Sequence, residues 1–148
     1  MKSTEADIRF PILTFTTDND VWRITTLNIL TNCGPQTLKD DMQRDMEIVD
    51  SEWRRWRVKS VRKTGRDTWI LPWLVSALLS TRGYRIEQEL EQLEPISVDE
   101  MRLRVSSAIK AHPDYWYDEI GTLLAQIGRA SSIADVLEVL GPDDFRSY

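Results

Sequence analysis

The chain has 148 residues, 41% of them apolar and 29% charged, with 19 Lys and Arg against 24 Asp and Glu for a net charge of −5. That length matches one ordinary domain spanning 1–148, and six Trp can fill a real core. No apolar run approaches the roughly 20 residues of a bilayer span, so a membrane protein is not expected. MKSTEADIRF lacks an apolar run of signal-peptide length, which predicts a cytoplasmic location. Cys33, the single cysteine, has no internal disulfide partner and fits a reducing compartment.

Residues 1–9 are polar and read as a frayed end. FPILTFTT and DVWRITTLNIL are rich in β-branched and aromatic residues around Asp18-Asn19-Asp20, the pattern of a hairpin. Gly34-Pro35 then breaks the chain before a short polar helix from Gln36. MEIVD and WRRWRVKSVRK read as a second hairpin, turning at Asp50-Ser51-Glu52 and closed by the loop Thr64-Gly65-Arg66-Asp67. In WILPWLVSALLS, Pro72 suits a first helical turn better than a central strand, so a helix is expected from about residue 72, with Trp69 and Trp73 on one face. In YRIEQELEQLEP, Tyr84, Ile86, Gln88 and Leu90 alternate with Arg85, Glu87, Glu89 and Glu91. A half-buried strand fits, while Leu90 and Leu93 at helical spacing keep helix as a rival.

Ser97-Val98-Asp99-Glu100 forms a capping box, followed by an apolar stripe of Val98, Met101, Val105, Ala108 and Ile109 that ends near His112-Pro113. A second helix is expected over roughly 114–128. A third follows Ser131 or Ser132, buries Ile133, Val136, Leu137 and Leu140, and stops at Gly141-Pro142. Each helix has one narrow apolar face that needs a cover. The chain therefore reads as α+β, with a small antiparallel sheet from residues ~10–93 packed against about three C-terminal helices.

Charge is distributed unevenly. Residues 53–66 carry Arg54, Arg55, Arg57, Lys59, Arg62, Lys63 and Arg66 and no acid, a local +7 that leaves −12 on the remainder. Strand alternation places Trp56, Val58, Ser60 and Arg62 on one face and Arg55, Arg57, Lys59, Val61 and Lys63 on the other. These cations, with Trp53 or Trp56 stacking on bases, define the alternative of a nucleic-acid-binding strand. Glu87, Glu89 and Glu91 are spaced to oppose Arg57, Lys59 and Lys63 if 84–91 is a neighbouring strand. Such pairing would cancel the strip as a phosphate site, which makes nucleic acid the less favoured partner.

Several chemistries lack their residues. One Cys and one His exclude a closed zinc site, there is no phosphate-cradling glycine loop and no GxSxG elbow, and neither metal nor cofactor is expected. Asp18-Asn19-Asp20 lacks the Gly and terminal Glu of a calcium loop. Cys33 with His112 is the minimum for thiol catalysis, but Cys33 reads as a small buried residue and His112 as a helix-end residue. Tyr115-Trp116-Tyr117 cannot all face one core, so Tyr115 or Tyr117 is a candidate docking residue beside Asp114, Asp118 and Glu119.

In size, acidity, single-domain character and lack of a catalytic motif, the chain resembles the small immunity proteins of bacterial toxin systems. That resemblance implies a non-enzymatic interaction module that binds a protein partner, a basic toxin domain, and occludes its active site. Glu87, Glu89 and Glu91, or Asp40, Asp41 and Asp45, would supply the complementary charge.

Overall fold

The computed structural model describes residues 1–66, 84–116 and 120–141. Ile12–Phe15 (β1) and Val21–Ile24 (β2) form the first expected hairpin. In its turn Asn19 adopts φ 61°, which a short amide side chain tolerates, and the Thr16 hydroxyl donates to the Asp18 carboxylate. The strand does not continue through the apolar run as expected. Thr26 caps a one-turn helix, Leu27–Leu30 (α1), its hydroxyl accepting the Ile29 N–H at 3.3 Å, so local capping overrides β-propensity there.

Asn32–Cys33 forms a two-residue strand (β3), and Pro35–Lys39 forms a short helix (α2) with Pro in its first turn. Glu47–Val49 (β4), Arg55–Arg66 (β5) and Tyr84–Leu93 (β6) complete an antiparallel, half-barrel sheet in the order β2-β1-β4-β5-β6-β3. The alternation in 84–93 thus prevails over the Leu90/Leu93 spacing. Thr64, Gly65 and Arg66, expected in a loop, belong to β5. The expected helix from residue 72, with Trp69 and Trp73, lies outside the described residues.

Each face of the sheet carries an apolar core. Leu13, Phe15, Val21 and Val49 pack against three helices, Val98–Ala111 (α3), Ile120–Ile127 (α4) and Ile133–Leu140 (α5), through Met101, Val105, Ile109, Ile127, Ile133 and Val136. Each fully buried side chain of this size contributes roughly 1.5–3 kcal/mol of burial energy. Ser97 and Ser132 cap α3 and α5 as their sequences predict, at 3.1 Å each. The middle helix is shorter than expected. Pro113–Tyr115 makes a 3₁₀ turn and Trp116 is extended at ψ 104°, which separates that turn from α4.

The opposite face joins Ile12, Ile24, Ile48, Trp56, Val58 and Leu90 to Ile8, Leu30 and Met46. The N-terminal residues are held here, contrary to the frayed end expected. Ser3 is completely buried, its N–H donating to the Gln88 carbonyl at 2.8 Å and its hydroxyl to Gln88 Oε1 at 2.5 Å. The Gln88 amide in turn donates to the Leu30 carbonyl at 2.8 Å and to Gln43 Oε1 at 2.9 Å. A buried amide of this kind is costly unless its partners arrive, so Gln88 fixes where residues 1–3, α1 and the loop before β4 must sit.

Asp50 organises the β4–β5 turn. It is fully buried, and its carboxylate accepts the backbone N–H of Arg9 at 3.1 Å, of Glu52 and Arg54 at 3.0 Å each, and the Arg54 guanidinium at 2.8 Å. These bonds hold Trp53 at φ 66° and turn it into the helical core while Trp56 enters the other. Asp50→Ala is expected to lower unfolding free energy by about 3 kcal/mol in urea titrations, because it strands donors already removed from water. Asp50→Asn, which keeps one acceptor, should lose less.

Candidate functional site

The long β5–β6 hairpin positions most of the predicted site residues. β5 spends twelve residues against ten of β6, and the surplus is taken up by register shifts between Val58 and Ser60 and between Lys63 and Gly65. Each bulge reverses the facing of the strand residues beyond it. Opposite neighbours share a face, so Arg57 with Glu91, Ser60 with Glu89 and Arg62 with Glu87 all lie on the outer face, where α3 also packs. Unbroken alternation had placed Ser60 and Arg62 with Trp56, and Val61 and Lys63 with Arg57. The bulge at Lys59 exchanges the two sets.

On this outer face the cations are engaged. Arg62 meets Glu87 at 2.7 Å and Lys59 meets Glu91 at 3.5 Å, while the Met1 amino group meets Glu89 at 2.6 Å. Lys63 instead lies 4.0 Å from the centre of the Tyr84 ring. Thus Glu87 and Glu91 neutralise cations of the strand while Glu89 pairs with Met1, and the three acids lie opposite Arg62, Arg57 and Ser60 respectively rather than opposite Arg57, Lys59 and Lys63. The Arg62 hydrogen bond, then that of Thr4, holds the Glu87 carboxyl below its ordinary pKa. A shallow groove of about 260 Å³ between Lys2, Ser60, Arg62, Glu87 and Glu89 is the concave part of this face.

Where β4, β5 and α3 meet, Glu47 gathers three arginines. Arg57 approaches at 3.4 Å and Arg55 at 3.6 Å, and Arg104 donates directly to the carboxylate while lying over the Phe15 ring at 4.4 Å. Arg55 also reaches Glu100 at 3.4 Å. Burial pushes the Glu47 pKa up, but the Arg104 bond and charge, then the Arg55 charge and the Arg57 bond, outweigh it and set it below its ordinary value. Arg54 is held by Asp50 and contacts Asp7 and Glu52 at 3.8 and 3.5 Å. Arg54, Arg55, Arg57, Lys59, Arg62 and Lys63 thus each have a partner within the chain, and Arg66 ends β5 opposite Tyr84.

The other predicted acids sit on the loop joining α2 to β4. Asp40, Asp41 and Asp45 are exposed, as is Met42 at 37%. Arg44 pairs with Asp41 at 2.6 Å, and the Gln36 amide donates to Asp40. This loop is fixed from below. Thr37, Gln43 and Met46 are buried, the Met42 N–H donates to the Thr37 carbonyl at 3.1 Å, and the Asp45 N–H donates to Val58 at 2.8 Å. Asp41 and Asp45 adopt φ 51° and 60°. Tyr115 is 49% exposed and packs edge-on against Trp116 with ring centres 5.1 Å apart, whereas Tyr117 lies outside the described residues.

Cys33 and His112 are not brought together. Cys33 is buried on β3 beside Thr37, Gln43 and Val61, and His112 Nε2 contacts the Asp18 carbonyl at 3.2 Å in the β1–β2 turn. Of the candidate stacking residues, Trp56 is core and Trp53 is partly buried against the helical core. Among the described residues no three His, Cys, Asp or Glu cluster as metal ligands, and no helix is long and apolar enough to cross a membrane. Glu47, Asp50 and Arg104 were not singled out by sequence reading. Asp50, opening a turn, carried a local signal; Glu47 and Arg104, 57 residues apart, carried none.

Comparison with protein-family models, curated proteins and solved structures finds no match to this chain.

Two outcomes are expected of this geometry. Because Glu47 is depressed in the folded state, its contribution is complete above the unfolded value of about 4.3 and disappears as pH falls through the lower folded value. Glu47→Gln should therefore remove about 2 kcal/mol at pH 7 and flatten the acid limb of a stability–pH curve. Burial raises the Cys33 thiol to about 11, which leaves a thiolate fraction of about 10⁻⁴ at pH 7. Iodoacetamide should label native Cys33 far more slowly than the urea-unfolded chain, as mass spectrometry would report.

Proposed function

We propose that this protein is a non-enzymatic interaction module of the immunity type, binding a basic toxin domain and occluding its active site. The observation that carries the reading is the loop from Asp40 to Asp45. It offers three exposed carboxylates and one guanidinium around half-exposed Met42, on a backbone anchored by buried Thr37, Gln43 and Met46. An apolar anchor inside a charged rim, ordered before the partner arrives, keeps the entropy cost of docking small. The acids steer a basic partner from a distance, and the net charge of −5 acts in the same sense.

Glu87, Glu89 and Glu91 play a lesser part, since each already holds a cation of the same chain. The same pairs weigh against nucleic-acid binding by Arg54, Arg55, Arg57, Lys59, Arg62, Lys63 and Arg66. A phosphate would have to displace a carboxylate at most of these positions, and Trp56 is buried while Trp53 packs, partly buried, against the helical core.

The test begins with affinity capture from the source cell, followed by co-expression of the captured protein with and without this chain. A stoichiometric partner whose toxicity is relieved by co-expression is expected. For that partner, Asp40→Lys/Asp41→Lys/Asp45→Lys should slow association at least about tenfold at low salt, with a smaller effect at high salt. Unchanged association and protection by the triple variant would remove the loop from the interface.

A further inference from the structure

Residues 1–3 complete one edge of β6. On the side of β6 away from β5, β3 pairs with Tyr84 and Arg85, and the Ile86 N–H donates to the Thr31 carbonyl at 2.8 Å. From Gln88 onward the same edge is taken by the start of the chain, with Lys2 bridged antiparallel to Glu89. The Ser3 N–H donates to the Gln88 carbonyl at 2.8 Å, and the Leu90 N–H donates to the Met1 carbonyl at 2.6 Å. This is strand addition performed by the molecule on itself.

The edge reads side chains as well as backbone. The Gln88 amide nitrogen donates to the Leu30 carbonyl and to Gln43 Oε1, so both its hydrogens are used and Gln88 presents only Oε1 to the added segment. That oxygen needs a donor opposite. The Ser3 hydroxyl supplies it, and in return accepts the Gln88 N–H at 3.1 Å. On the outer face Glu87 accepts the Thr4 hydroxyl at 2.9 Å and lies 3.8 Å from the Lys2 ammonium. The edge therefore selects a small hydroxyl residue between a cation and a second hydroxyl residue.

Shelf and segment are unequally secured. β6 is paired with β5 from Tyr84 to Leu93, and Gln88 is fixed from the interior by Leu30 and Gln43, all without help from residues 1–4. The segment fully buries one side chain, Ser3, while Met1, Thr4 and Glu5 are exposed. Its backbone turns away at once, the Glu5 and Ala6 N–H groups both donating to the Lys2 carbonyl at 3.0 Å. A short segment with so little buried surface opens at a lower free energy than the ladder beneath it.

We infer that residues 1–4 are a detachable strap over a strand-accepting edge of β6, and that an extended segment of a partner protein repeating the Lys-Ser-Thr pattern takes their place. The incoming backbone bonds Gln88 and Leu90, its hydroxyl residue meets Gln88 Oε1, and its cation meets Glu87. The tethered strap competes at an effective concentration of about millimolar, so a partner must match the side-chain pattern and not merely offer backbone. The inference rests on neither the acidic loop nor the toxin reading.

Two measurements on the ¹⁵N-labelled full chain test it. In native-state hydrogen exchange, the Ser3 and Leu90 amides are expected to exchange at least about 100-fold faster than that of Ile86, which sits on the same edge but bonds to Thr31. The second uses the peptide acetyl-Met-Lys-Ser-Thr-Glu-Ala-amide. At about 10 mM it should displace the strap, moving the protein's Ser3 amide resonance to its unfolded position while Gln88 and Leu90 stay near their bonded positions. A peptide with Ala for Ser, or N-methylated at Ser, should need about tenfold more, through the loss of one bond to a buried acceptor. Ser3 and Leu90 exchanging as slowly as Ile86, a Ser3 amide unmoved by the peptide, equal competition by the Ala peptide, or strap release that grows with protein concentration alone would each overturn the inference.

Discussion

The outer surface of this protein depends on a mismatch in length between two strands. β5 must lose two residues of register against β6, and it does so through bulges, the first of them at Lys59. A bulge costs little and reverses side-chain facing, so one local irregularity decides that Arg62 meets Glu87 and that Val61 turns toward the interior. Without it the arginines beyond Lys59 would alternate out of phase with the glutamates of β6. The neutral character of the long hairpin is therefore a matter of register as much as of composition.

A second constraint, the buried carboxylate of Asp50, fixes the entry into β5. By taking the backbone amides of the turn and the Arg54 guanidinium, it sends Trp53 and Trp56 to opposite cores. The helical core and the half-barrel interior are joined at this point, and α3 is tied to the same sheet through Glu47 and Arg104. The acids and bases at this junction are structural cement between layers, a role in which removing one partner costs far more than the pair contributes in water.

Much of the fold was legible because short-range chemistry specified it. The Ser97 and Ser132 caps, the stripes of Met101, Val105 and Ile109 and of Ile133 and Val136, both hairpin turns and the alternation of Ile86, Gln88 and Leu90 each write a local pattern that the tertiary structure respects. The misreadings arose where a distant group decided the outcome. Residues 1–3 look frayed until Gln88 supplies their bonds, and strict alternation in β5 fails because a bulge leaves no mark in composition. For the candidate site, the sequence indicated which charges were present and correctly suspected that they were paired. It could not indicate the Glu47 cluster, assembled from β4, β5 and α3.

The seating of residues 1–3 beside β6 also orders events in time. Ser3 and Gln88 are separated by 85 residues, and the shelf on which Ser3 rests does not exist until β6 has paired with β5. Closing so long a loop adds only a modest logarithmic entropy cost at equilibrium, but it makes the contact dependent on β6 having emerged from the ribosome. Residues 1–3 thus find their place only after β6 has formed, and until then the inner face of the half-barrel lacks part of its cover. During synthesis that apolar surface is open to premature association until these residues are seated.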